Sequence, residues 1–168
     1  YRANMGGDGG NWLTDYPLAD IDLSIRLAEL TRTWVGFTGT GEPEHLIVRL
    51  SDDGLFQCPF IMMQEVGSLF FTDEDAAQLR TYLLKGGFLW VDDFWGSSGW
   101  DNFSREIGKV LPEFPIVDLP LDHPLFSIVY TIPEVPQIPS IGSWRRLGGG
   151  TSELGYDSQT PHMSAIMD

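Results

Sequence analysis

The residues in this 168-residue chain best suited to chemistry are carboxylates that follow apolar runs. Asp92 and Asp93 come directly after Phe88-Leu89-Trp90-Val91, while Asp52-Asp53 and Glu65 hold similar positions after the runs 45–50 and 60–64. Asp15 reaches the same rim if a strand precedes its loop. Carboxylates gathered in this way repel one another, so they share a proton, face water or bind a cation. A hard divalent ion such as Mg²⁺ or Ca²⁺ takes oxygen ligands of this kind, and Asp15, Asp92 and Asp93 are the expected set. The same acids can instead serve as general acid and base. Against both uses stands the plain structural one, since Asp after a strand commonly caps a helix or forms a turn.

Aromatic rings surround the strongest of these acids, in Asp92-Asp93-Phe94-Trp95-Gly96-Ser97-Ser98-Gly99-Trp100. Trp95, between the acidic pair and a glycine, is placed to stack on a sugar or another flat ligand. Phe94 and Trp100 read as anchors of the loop. In Leu121-Asp122-His123-Pro124, His123 is a candidate general base or metal ligand, and Asp122 reads as a cap for the following turn. His45 and His162 read as exposed or structural. Cys58 reads as a small buried residue, and a lone cysteine excludes both an internal disulfide and a cysteine metal cluster. No Gly-x-Ser-x-Gly or Gly-x-Cys-x-Gly elbow, Walker loop or Gly-x-Gly-x-x-Gly helix start occurs.

Alternating elements must position these residues. Thr14 or Asp15 can cap a helix over residues 18–31 with Pro17 in its first turn. The almost continuous apolar runs 45–50, 60–64 and 88–91 suit strands buried on both faces. Thr72, followed by Asp73, Glu74 and Asp75, starts a helix that Lys85 and Gly86-Gly87 end. Ser97 or Ser98 caps a further helix from about Trp100 to Val110. Strands are expected at 115–119 and 126–130, then a long loop or lid from Thr131 to Gly150, where Pro133, Pro136 and Pro139 stand. The run 163–167 begins a last strand. Together these predict one α/β domain over residues 1–168 with a mostly parallel central sheet, and a C-terminal element to complete it.

Acidic residues outnumber basic ones 24 to 10, a formal charge of −14. That field repels nucleic acid and anionic lipid, and favours cations or neutral polar ligands. With 42% apolar residues the composition is that of a globular domain. No uncharged apolar stretch approaches the roughly 18 residues that would predict a transmembrane segment in this chain.

Three motifs carry a resemblance: Trp12-Leu13-Thr14-Asp15-Tyr16-Pro17, then Gly86-Gly87-Phe88-Leu89-Trp90-Val91-Asp92-Asp93-Phe94-Trp95-Gly96, then Leu121-Asp122-His123-Pro124. With them the chain resembles the bacterial family called domain of unknown function 4159. The resemblance implies a flavodoxin-like three-layer fold, with helices on both faces of the sheet, similar to class I glutamine amidotransferases. It places Trp12, Asp15, Tyr16, Asp92, Asp93, Trp95 and His123 in the family's motifs. It carries no activity with it, and the missing cysteine elbow disfavours glutamine hydrolysis. Family members often carry export signals or sit beside membrane proteins, which points to a periplasmic or membrane-associated location.

Two functions follow as expectations. The first is a hydrolase, metal-dependent or carboxylate-based, acting on a small polar or carbohydrate-like substrate. Asp92, Asp93 and His123 would be its catalytic residues, and Trp12, Asp15, Tyr16 and Trp95 its ligand contacts. The second is a non-catalytic binding or scaffold domain whose proline-rich segment meets a protein partner.

Overall fold

Helix α2 (Asp73–Leu84) shows how closely local sequence dictates structure in this protein. In the computed structural model, which describes residues 13–167, the Thr72 hydroxyl accepts the Asp75 N–H, and the Asp75 carboxylate accepts the Thr72 N–H, each at 3.1 Å. This reciprocal cap satisfies two backbone donors that a helix start otherwise leaves bare. Ala76, Leu79 and Tyr82 then recur at helical spacing and are buried. Gly86, at φ +94°, ends the helix in the left-handed region. At Gly87 any side chain would run into the Tyr82 ring.

The chain divides into two compact units, the first ending at Asp93 and the second starting at Phe94. In the first, β1 (Phe60–Gln64) and β2 (Phe88–Asp92) pair in parallel, from Phe60 opposite Phe88 to Gln64 opposite Asp92, with α2 between them in sequence. Ile61 and Met63 face inward, and Leu50, Leu55, Val66, Leu69 and Phe71 are buried as well. On the other face, Phe60 and Phe88 stack at 5.8 Å and stay exposed. Removing a fully buried side chain such as Leu79 costs about 2–5 kcal/mol.

Helix α1 (Leu18–Leu30) forms where it was expected, but Pro17 takes the cap position and no side chain caps it, neither Thr14 nor Asp15. It buries none of its residues. Its apolar positions are spread around the helix, so it presents no single stripe to a core. The run 45–50 is irregular rather than a strand, with Leu46 and Ile47 exposed and Leu50 buried. An apolar run becomes a strand only when a sheet edge takes its backbone groups. Among the described residues β1 pairs with β2 alone.

In the second unit α3 (Gly96–Val110) starts earlier than expected. Neither Ser97 nor Ser98 caps it; the Asp157 carboxylate accepts the Ser97 N–H at 3.0 Å from sixty residues away. Phe94 and Trp100 stack at 6.4 Å, and Phe103 joins both rings. Strands β3 (Val117–Asp118) and β4 (Ser164–Ala165) form a short antiparallel pair. The strand expected at 126–130 is absent: Pro124–Ser127 is a 3₁₀ turn with Pro124 in its first positions and the His123 ring as its cap. Only Phe126 of that run is buried, and the Phe126 carbonyl accepts the Ile132 N–H at 2.8 Å, which folds the chain back. The loop 131–150 carries a short helix, α4 (Ile141–Arg146), capped by Ser140. The architecture is mixed helix and strand with a small parallel sheet. Among the described residues no helix is long and apolar enough to cross a membrane.

Candidate functional site

Where parallel strands end, side chains and backbone groups converge on whatever lies beyond the carboxyl edge. Here that edge is bent by two residues in the left-handed region, Glu65 at φ +53° and Asp93 at φ +54°. Neither is glycine, and such a conformation costs a side-chain-bearing residue roughly 1–2 kcal/mol. The Glu65 N–H donates to the Asp93 carbonyl at 3.1 Å, so the two turns brace each other across the strand pair. Strain of this kind concentrates at functional sites.

Asp92 is the last residue of β2. Its Oδ2 accepts the Trp90 indole N–H at 3.2 Å. Its Oδ1 is buried and has no hydrogen-bond partner among the described residues. Burial lifts its pKa above the ordinary 3.8, hydrogen bonds from Trp90 and Gln64 pull it partway back, and the charge on Asp15 lifts it again. The direction is up because desolvation penalises the charged form. The charge on Asp15, in the loop before α1, thus acts on Asp92.

Asp15 and Tyr16, with Thr14, Leu18, Ala19 and Asp22, line an open depression of about 340 Å³. The Tyr16 hydroxyl lies 3.1 Å from Nε2 of His45, and the two rings meet edge to face, 5.3 Å between centroids and 78° between planes. By its sequence position His45 reads as exposed or structural. It is half-buried, and 29 residues separate it from Tyr16. Nothing local in sequence marks that contact. Gln64, also unmarked, joins through the strand register that sets it opposite Asp92.

Trp12 falls outside the described residues. Trp95 is half-buried at the cap of α3, and His123 uses its Nδ1 to accept the Leu125 N–H at 3.3 Å; both belong to the second unit. His162, another histidine read as exposed or structural, is exposed with its Nδ1 2.9 Å from Asp118. Asp52 acts as a turn former, its carboxylate accepting the Arg49 N–H at 2.8 Å. Cys58 is half-buried, with its thiol donating to the Gly54 carbonyl. Among the described residues no three His, Cys, Asp or Glu side chains are grouped to hold a metal ion. The candidate groups are thus a half-buried carboxyl at the end of β2, the Asp15 carboxylate whose charge acts on it, and the Tyr16–His45 phenol–imidazole pair.

A family model described as a domain of unknown function, DUF4159, matches residues 2–168. No curated protein and no solved structure resembles the chain closely enough to be matched.

Proposed function

The chain belongs to the DUF4159 family, and we propose that its first unit binds and hydrolyses a small polar, carbohydrate-like substrate at the carboxyl edge of β1 and β2. The observation that carries this reading is the Asp92 carboxyl, half-buried with one oxygen unpartnered among the described residues. A carboxyl whose hold on its proton is tightened by burial can give that proton to a leaving oxygen. Asp15, the second carboxylate, would take a proton from the attacking water. Proton donation and acceptance then balance across one bond cleavage. Asp93 supports the arrangement through its backbone turn.

The test is hydrolysis and thermal stabilisation across a panel of neutral glycosides, with wild type beside Asp92→Asn. One substrate cleaved by wild type and spared by Asp92→Asn, with the fold intact, supports the reading; equal cleavage by both overturns it. Adding Mg²⁺ or Ca²⁺ to the same assay tests the divalent-cation expectation. A cation present at about 100 times its Kd adds about 2.7 kcal/mol of stability.

We also propose that the two-stranded parallel sheet belongs to a flavodoxin-like, amidotransferase-like three-layer domain without the nucleophile. The exposed Phe60–Phe88 face supports this, because a helical layer would cover it. Slow amide exchange along both outer edges of β1 and β2 would support further strands there, and fast exchange would count against them.

A second reading has its own observation. Ile138 is 83% exposed within the proline-rich stretch 133–139, which favours a scaffold role toward a protein partner at the cell envelope. A stoichiometric partner from native membranes that survives Asp92→Asn but is lost on altering Val135 to Ile138 would establish it.

A further inference from the structure

Tyr16 reaches the candidate site from an exposed loop, and each contact its phenol makes narrows the rotamers open to it. His45 supplies both kinds of restraint: an edge-to-face ring contact at 5.3 Å and a hydrogen bond at 3.1 Å. The imidazole is itself constrained. Its Nδ1 is buried with no hydrogen-bond partner among the described residues. A buried N–H without an acceptor is rarer and costlier than an unpaired lone pair. Of the two neutral tautomers, the favoured one therefore keeps its proton on Nε2 and donates it to the Tyr16 oxygen.

We propose that His45 is the positioning residue of this site: it holds the Tyr16 phenol at the rim of the depression, and the site selects hydroxyl-bearing, non-anionic ligands. The proposal rests on the hydrolase reading above and adds to it the residue that sets specificity. The residues lining the depression include Tyr16, Asp15 and Asp22. Carboxylates accept hydrogen bonds from sugar hydroxyls, and a phenol both donates and accepts. The same carboxylates repel phosphate and sulfate groups.

The experiment is titration calorimetry with maltose and with glucose 6-phosphate on wild type, His45→Ala, His45→Gln, Tyr16→Phe and the double variant His45→Ala/Tyr16→Phe. Wild type binds maltose and not glucose 6-phosphate. His45→Ala weakens maltose about 10-fold, the scale of one hydrogen bond. His45→Gln recovers most of the affinity, since its amide nitrogen can stand where Nε2 stood. The double variant is no weaker than Tyr16→Phe, because both changes remove one interaction. Full affinity in His45→Ala, or preference for the phosphate, overturns the proposal while leaving the role of Asp92 standing. If maltose does not bind wild type, the selectivity half of the proposal falls, and nitrogen NMR of the imidazole decides the positioning. An Nε2-protonated His45 that loses this preference in Tyr16→Phe sustains it, and an unchanged tautomer mixture overturns it.

Discussion

Asp92 ends a parallel strand with its carboxyl half-buried, one oxygen bonded to Trp90 and the other without a partner among the described residues. Asp118 sits in the antiparallel pair β3–β4 with its side chain 60% exposed. There the Ser164 hydroxyl donates to one oxygen, and Nδ1 of His162 lies 2.9 Å from the other. The pKa values move in opposite directions: burial pushes Asp92 up, whereas hydrogen bonds from Ser164 and His162 hold Asp118 down. Charge is stabilised where water and donors surround it and penalised where they do not. The carboxyl kept in the unfavourable place is the better candidate for chemistry, because a group whose proton affinity its surroundings shift is what proton transfer uses.

The largest expected effect separates the two aspartates by function. On the proposed hydrolase reading, Asp92→Asn should lower turnover by about 10²- to 10⁴-fold, the range for losing a general acid, while Asp118→Asn should leave kcat/KM unchanged. Equal losses in both would erase the distinction. Next comes the braced edge. Asp93→Val should destabilise the fold by about 1–2 kcal/mol, read from urea unfolding, since a β-branched residue fits the left-handed region poorly.

A smaller effect sharpens the electrostatics. Asp92→Asn should raise Tm at pH 7 by roughly one to two degrees, because it removes a charge that folding half-buries. A fall in Tm would show that the carboxylate stabilises the fold there. The smallest effect is a pair of opposed pH slopes. Asp92, with its folded pKa raised, contributes stability that is full below the ordinary 3.8 and is lost as pH rises through the folded value. Asp118, with its folded pKa lowered, contributes above 3.8 and loses that contribution as pH falls through the folded value. Because Asp118 is exposed, solvent screening keeps its share below about 0.5 kcal/mol. Difference curves of Tm against pH for the two Asn variants should therefore slope in opposite senses, and parallel curves would contradict both assignments.

Much of the scaffold was legible in the residues. Thr72 with Asp75, the Gly86-Gly87 stop and the run 88–91 each specify their element through capping, backbone freedom and side-chain type, which act within a few residues. The site was half legible: Asp92 and Asp93 stood out because a polar pair ends an apolar run, and that edge is where parallel strands present groups. The runs 45–50 and 126–130 misled, since apolarity favours burial without specifying strand pairing. In the second, Pro124 and the His123 cap favoured a tight turn. The cap of α3 was hidden as well, because its acceptor, Asp157, is remote in sequence.

What the sequence determined by itself is the helix and strand segments whose signals are local, the acidic balance, and the acids that end β2. Tertiary structure alone decided that Asp15 comes within range of Asp92, that His45 grips Tyr16, and that Asp92 is half-buried while Asp118 stays wet. Those facts depend on contacts between residues far apart along the chain. Desolvation and Coulomb interaction follow distance in space, which a linear pattern does not encode.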